Sequence, residues 1–156
     1  MTIKKITFLF VACSFAISAS AQKLTQKDIQ GTWKLAGFSV EGIYLDVAKE
    51  DVTFSKELEA KYPEIAREQI KLGMLENIEG FQSARTYIEG NNIRQTMGGE
   101  EDKGTFTVTT KGTDQFIAIS NPEGATDEVK AFFKDKQLHM IQKDEEQEVE
   151  FIYVKQ

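Results

Sequence analysis

Cysteine, histidine and tryptophan each occur once in this chain of 156 residues, and proline occurs twice. The single cysteine, Cys13, cannot form a disulfide within the chain, and it lies in a segment that we expect to be removed. The mature chain would then hold no thiol for catalysis or for binding a metal. Its fold must therefore depend on a hydrophobic core, which a domain of this length can bury.

The amino terminus has the pattern of an export signal. Lys4-Lys5 precedes an apolar run over residues 6–17, and Ala19-Ser20-Ala21 then forms a small-x-small cleavage sequence. We expect a signal peptide over residues 1–21 and a periplasmic or secreted mature domain over residues 22–156. The run is too short for a membrane span of about 20 apolar residues, so no transmembrane segment remains after cleavage. Phe10-Val11-Ala12-Cys13 offers a lipoprotein alternative, but that motif prefers leucine where Phe10 stands.

The charge balance is acidic. Residues 1–21 carry two lysines and no acid, so the net charge of −6 for the whole chain becomes −8 for residues 22–156. This charge argues against nucleic acid or anionic lipid as the main partner. The 135 remaining residues suit one domain.

Turn residues interrupt the second half of the chain at regular intervals. Gly90-Asn91, Gly98-Gly99, Lys111-Gly112 and residues 121–124 stand at such breaks. This spacing predicts consecutive antiparallel hairpins. The predicted strands cover residues 32–40, 84–89, 92–97, 103–110, 114–120, 126–133, 137–142 and 147–155.

Alternation of apolar and polar residues assigns one face of each strand to an interior. Val149, Phe151 and Tyr153 share one face of the last strand, for example, and Glu148 and Glu150 share the other. A meander of eight strands favours a closed barrel, because the last strand can pair with the first and remove both edges. We therefore predict an all-β fold, an eight-stranded antiparallel up-and-down barrel. The inward residues expected to line a ligand site are Leu35, Gln95, Met97, Phe106, Val108, Phe116, Phe133, Met140, Phe151 and Tyr153.

Residues 41–83 do not have the pattern of a strand. Ser55 is placed to cap a helix, Pro63 suits the first turn of a second helix, and Gly80 suits its end. We expect a kinked helix or a helical pair inserted between the first and second barrel strands. Two interpretations stay open: a fixed plug on one barrel end, or a movable lid over a ligand cavity.

Gly31-Thr32-Trp33 opens the first predicted strand. With the eight-stranded meander and the helical insertion after strand one, it resembles the lipocalin (calycin) superfamily, and most of all small exported bacterial lipocalin-like domains. The resemblance implies that Gly31 and Trp33 are structural and that Trp33 closes one barrel end. In typical lipocalins an arginine near the chain end packs on this tryptophan. In fatty-acid-binding proteins an arginine and a tyrosine of the last strand hold a carboxylate. Here the last strand has Tyr153 but no arginine, so no ligand identity follows.

Catalytic and metal-binding patterns are not evident. His139 stands between Leu138 and Met140, so alternation turns it outward, as a surface histidine rather than a haem ligand or a catalytic base. The acidic runs at residues 100–102 and 144–146 lack the spacing of calcium loops. No inward pair of carboxylates emerges either. We expect a protein that is not an enzyme and has no cofactor or metal.

The leading hypothesis is an exported lipocalin-like barrel that binds a small hydrophobic or amphipathic molecule in its interior. Gln95, Tyr153 or Tyr87 would orient a polar group of the ligand, and Ala118 and Ala131 would leave room for it. Alternatively, bulky inward residues fill the barrel. The protein would then be a protein-interaction or inhibitor module of the cell envelope, with no small-molecule ligand and with an unknown partner.

Overall fold

The computed structural model describes residues 23–143 and 147–156. The expected signal peptide and the acidic turn at residues 144–146 lie outside the described residues. The described chain forms ten strands and three helices. They are β1 (Gly31–Val40), β2 (Ile43–Asp46), β3 (Asp51–Phe54), α1 (Lys56–Lys61), α2 (Glu64–Leu75), α3 (Ile78–Ser83), β4 (Arg85–Glu89), β5 (Asn92–Met97), β6 (Glu100–Lys111), β7 (Asp114–Ser120), β8 (Thr126–Lys134), β9 (Gln137–Lys143) and β10 (Glu148–Lys155).

Eight of these strands form a closed antiparallel barrel. Strands β4 to β10 follow one another as a meander, and β1 pairs with both β4 and β10. The closing ladder runs from the pair Trp33 and Lys155 to the pair Val40 and Val149. The barrel therefore has no free edge. The predicted fold class is confirmed, and each predicted barrel strand is present with ends that differ by three residues or fewer.

Strand β1 changes its neighbour halfway along. Residues 31–34 pair with β4, whereas residues 37–40 pair with β2. An irregularity in the ladder with β10, between Leu35 and Gly37, separates the two halves. The β2–β3 hairpin therefore extends from one half of β1 instead of joining the ring. The prediction that residues 41–83 contain no strand is wrong here, because strands of four residues are too short to show a period.

The rest of residues 41–83 holds three helices, which agrees with the predicted helical insertion, although Gly80 lies within α3 and does not end a helix. The Ser55 hydroxyl accepts a hydrogen bond from the Leu58 backbone N–H at 3.4 Å and so caps α1, and Pro63 directly precedes α2. Helix α3 contacts both β1 and β5. It lies beside the half of β1 that has no β4 residue opposite it, since the ladder of β1 with β4 ends at the pair Lys34 and Arg85. We call this end of the barrel the helix end.

The opposite end of the barrel is covered by the segment before β1. Leu24 and Ile29 are at most 1% exposed, and Trp33 is 2% exposed. The Trp33 indole N–H donates a hydrogen bond to the Ile29 carbonyl at 2.7 Å. These three side chains define what we call the sealed end.

Hydrogen bonds attach the same segment to the turns around it. The Gln115 side chain donates to the Leu24 carbonyl at 2.7 Å and accepts from the Leu24 N–H. The Gln30 amide donates to the Gly90 carbonyl at 3.0 Å and accepts from the Gly90 N–H at 2.8 Å. Paired contacts of this kind hold the segment to β7 and to the β4–β5 turn.

A lysine lies on the tryptophan of the sealed end. Lys155 pairs with Trp33 in the closing ladder, and its Nζ lies 5.5 Å from the centre of the indole ring. This distance suits a cation–π contact. The last strand thus places a cation on Trp33 although it has no arginine.

Candidate functional site

Three polar side chains meet inside the barrel, next to buried apolar residues. Tyr153 of β10 is 8% exposed and Thr86 of β4 is 2% exposed, and the Thr86 side chain is close enough to act on the pKa of the Tyr153 hydroxyl. Gln95 of β5 donates from its amide to the Thr86 hydroxyl at 3.4 Å. The register explains this meeting, because Thr86 pairs with Gln95 on one side and with Trp33 of β1 on the other. Tyr153 pairs with Leu35 of the same strand β1. We call Tyr153, Thr86 and Gln95 the polar triplet.

The polar triplet carries no charge at neutral pH. Burial raises the pKa of Tyr153 above its ordinary value of 10.0, and the hydrogen bond with Thr86 opposes this rise. The phenol is therefore protonated over the physiological range. Thr86 and Gln95 do not ionise, so the interior offers hydrogen bonds rather than ion pairs.

Exposure of the inward side chains increases from the sealed end to the helix end. Along β5, Ile93 is buried, Gln95 is partly exposed and Met97 is 50% exposed. Along β9, Leu138 is buried and Gln142 is exposed. The barrel is therefore closed to water beside Trp33 and accessible to it near α3.

The exposure of inward side chains also increases along strand β10 toward the helix end, and aromatic side chains lie where the exposure changes. Tyr153 is buried, whereas Phe151 and Val149 are partly exposed. Phe38 lies 6.3 Å from Phe151 and 4.9 Å from Phe81 of α3, measured between ring centres. Helix α3 thus packs directly over the accessible end of the interior.

Hydrogen bonds attach α3 to the β2–β3 turn, to β4 and to the barrel rim. The Gln82 amide donates to the Glu50 carboxylate at 2.9 Å, and the Arg85 guanidinium donates to the Gln82 carbonyl at 2.8 Å. The Ser83 hydroxyl accepts from the Gly98 N–H at 3.3 Å and donates to the Gly80 carbonyl at 2.7 Å. No residue of α3 is fully buried. The segment over the helix end is therefore less completely buried than Leu24 and Ile29 at the sealed end.

Most of the residues predicted to face inward do so. The strand registers place Leu35, Gln95, Phe106, Val108, Phe133, Met140, Phe151 and Tyr153 on the interior face, together with Met97 at its helix-end margin. Thr86 was not predicted, since a threonine in a short strand has no pattern that distinguishes it from a surface threonine.

The predictions that Phe116 and Ala118 face inward are wrong. Ile117 of the same strand is fully buried and pairs with the inward residues Val108 and Val129. Phe116 therefore lies on the outer wall, where the Nζ of Lys111 is 5.2 Å from its ring centre. Residues 116–119 are all apolar, so alternation could not determine which of them point inward. The register with β6 and β8 decides it.

Tyr87 also lies on the outer wall. It pairs with Thr32 and Arg94, and the guanidinium carbon of Arg94 is 3.8 Å from the centre of its ring. It cannot orient a ligand inside the barrel from that position.

The prediction that His139 is a plain surface histidine is wrong, although its outward direction agrees with alternation. His139 is 5% exposed and stacks on Phe132, with ring centres 5.0 Å apart and planes 14° apart. Its Nδ1 lies 2.7 Å from a carboxylate oxygen of Glu150. It is buried because the outer wall carries apolar neighbours, Phe132 and Ile152, directly opposite it.

Two open cavities border the described barrel. The larger, of about 570 Å³, includes Tyr87, Arg94 and Lys103 among its lining residues. The smaller, of about 270 Å³, is lined by Ser39, Gly42 and three glutamates. Neither is lined by a residue of the polar triplet.

Neither a metal-binding cluster nor a membrane-spanning helix occurs within residues 23–143 and 147–156. No three histidine, cysteine, aspartate or glutamate side chains in these ranges are grouped to hold a metal ion. No helix in them is long and apolar enough to cross a membrane.

Comparisons of the chain with protein-family models, with curated proteins and with solved structures found no match.

Proposed function

We propose that this protein is an exported lipocalin-like barrel that binds a small hydrophobic or amphipathic molecule inside the barrel, from its helix end. The observation that carries the proposal is the difference between the two ends. The sealed end is closed by Leu24, Ile29 and Trp33, whereas inward residues such as Gln95 and Phe151 are partly exposed at the helix end.

The interior has the composition of a small-molecule site. The buried part of the interior is mainly apolar and contains the polar triplet, and such sites commonly combine apolar walls with a few hydrogen-bonding groups. Burial of the ligand's apolar surface would drive binding, at about 25 cal/mol per Å². Movement of α3, which withdraws Phe81 from Phe38, would provide the room.

Export is the second part of the proposal. It is supported by the sequence of residues 1–21, in which two lysines, an apolar run and Ala19-Ser20-Ala21 follow in the order of a signal peptide. The ligand would then be met outside the cytoplasm.

Two substitutions on the same strand test interior binding. Val149 faces inward at the helix end, since it pairs with Val40 and Gln142, and Val154 faces outward, since it pairs with Lys34. Val149→Trp should reduce the affinity for a fluorescent apolar probe by about tenfold or more, because the indole occupies the space that the probe needs. Val154→Trp should leave the affinity unchanged. Equal probe affinities in both variants would contradict interior binding. In that case native mass spectrometry of the protein from its own source should show the mass of the chain alone, with no bound small molecule.

One observation favours the alternative of a protein-interaction module. Ile65 and Leu72 are 76% and 62% exposed, and they lie on the same face of α2 because they are seven residues apart. A partner could bind that face while the barrel stays filled. In that case neither the parent protein nor either tryptophan variant would take up the probe.

A further inference from the structure

We infer that the ligand carries an uncharged, hydrogen-bonding head group that enters the barrel first and reaches the polar triplet. This inference rests on the proposed function and specifies the chemical class of the ligand. It would be an alcohol, an amide or an ester with an apolar tail, and not a fatty-acid anion.

The first argument is the hydrogen-bonding capacity of the polar triplet. Gln95 uses one amide N–H in its bond to Thr86 and is partly exposed on the side of the helix end. Among the described residues no other side-chain hydrogen bond of Gln95 is formed. Its carbonyl oxygen and second N–H are therefore free to bind a molecule that enters from α3, and Thr86 and Tyr153 are the more deeply buried members of the triplet.

The second argument is the placement of charge on the interior face. Among the inward positions of the described strands, the only basic side chain is Lys155, which lies over Trp33 at the sealed end. At the helix end the inward positions include Asp102, which pairs with Gln95, and Asp127, which pairs with Ile119. A carboxylate beside Gln95 would thus have acidic neighbours and no cation to neutralise it.

An unpaired buried charge is strongly disfavoured, whereas an uncharged polar group that finds a hydrogen bond is tolerated. A carboxylate head would lose its hydration without a partner. An ammonium head would find carboxylates at Asp102 and Asp127, which are both exposed, and would stay beside them instead of reaching the buried Tyr153. A neutral head is therefore the kind that can reach Tyr153.

Three amphiphiles with the same alkyl chain test this inference: dodecanol, dodecanoate and dodecylamine, each titrated into the full mature chain at neutral pH. Dodecanol should bind about tenfold or more tightly than dodecanoate, because only the carboxylate loses hydration without gaining a counter-charge. Tyr153→Phe and Thr86→Val should each weaken dodecanol binding by about threefold or more, because each removes a hydroxyl from the triplet. Tyr87→Phe, on the outer wall, is the matched control and should change nothing. Circular dichroism of each variant checks that the barrel is folded.

The remaining outcomes separate this inference from the proposed function. Tightest binding by dodecylamine would place the head group at the rim and overturn the inference. Equal affinity for all three amphiphiles would place the head in solvent, which also overturns the inference while the proposed function stands. Uptake of none of them, nor of the apolar probe, would overturn both.

Discussion

Tyr153 is buried deep in the barrel and carries a hydroxyl that needs a partner there. Thr86 supplies that partner, and Gln95 extends the contact toward the helix end. The sequence placed Tyr153 and Gln95 on the interior face through alternation alone. It could not indicate Thr86, because only the register of β4 against β1 and β5 brings that hydroxyl between them.

The raised pKa of Tyr153 predicts a loss of stability at high pH. Below the ordinary pKa of 10.0 the phenol is neutral in both the folded and the unfolded chain. Above it the unfolded chain loses the proton first, so the free energy of unfolding falls as pH rises toward the higher pKa of the folded state. Urea unfolding between pH 8 and about pH 11 should show a shallower decline for Tyr153→Phe than for the parent protein.

A second, partly buried tyrosine contributes to the same decline. The decline should not vanish in Tyr153→Phe, because burial also raises the pKa of Tyr44. At neutral pH Tyr153→Phe should lower the free energy of unfolding by about 1 kcal/mol, since it removes one buried hydrogen bond. Identical slopes for the parent and Tyr153→Phe would contradict this prediction.

At the scale of elements, β1 makes the contacts that the sequence did not indicate. On one side β1 pairs with β10 over most of its length. On the other side its partner changes from β4 to β2 near Gly37. The sequence predicted the strand and the helices that follow it. It did not predict the β2–β3 hairpin, because each of its strands is only four residues long and acquires a partner only when half of β1 is left unpaired by β4.

Gly37 at this crossing tests the geometry. A Cβ atom there would lie 2.6 Å from the Leu45 carbonyl oxygen and 2.8 Å from the Tyr44 hydroxyl. Gly37→Ala should therefore lower the free energy of unfolding by about 1–3 kcal/mol, as is typical of overpacking. Gly73→Ala in α2 is the control: nothing lies within 4 Å of its Cβ position, and the substitution should stabilise by up to about 1 kcal/mol through helix propensity. Chemical denaturation of the two variants compares them. Equal effects would mean that β2 does not approach β1 this closely.

At the scale of the whole molecule, the barrel is closed twice: around its circumference by β1 and β10, and across one end by the segment before β1. The circumferential closure follows from an even number of alternating strands in meander order, so it was predictable. Of the residues that cover the sealed end, only Trp33 was predicted. Leu24 and Ile29 were not, because they lie in a segment without periodicity. They become core residues only because Trp33 and the barrel end lie beside them.

This cover should contribute to global stability. Leu24→Ala should lower the free energy of unfolding by about 2–5 kcal/mol, since Leu24 is 1% exposed and its truncation leaves a cavity. Leu72→Ala makes the same chemical change at a position that is 62% exposed, and its effect should stay within about 0.5 kcal/mol. Urea midpoints of the two variants measure the difference. A Leu24→Ala protein as stable as Leu72→Ala would show that the segment does not seal the barrel.

The sequence by itself determined the eight barrel strands, their meander order and most of the interior face, because turn residues and a period of two are local properties. The tertiary structure decided the face of Phe116 and Ile117, the burial of His139, the cation on Trp33 and the meeting of Tyr153 with Thr86. Each of these depends on the register between strands, which is set by packing across the barrel and leaves no local pattern in the chain.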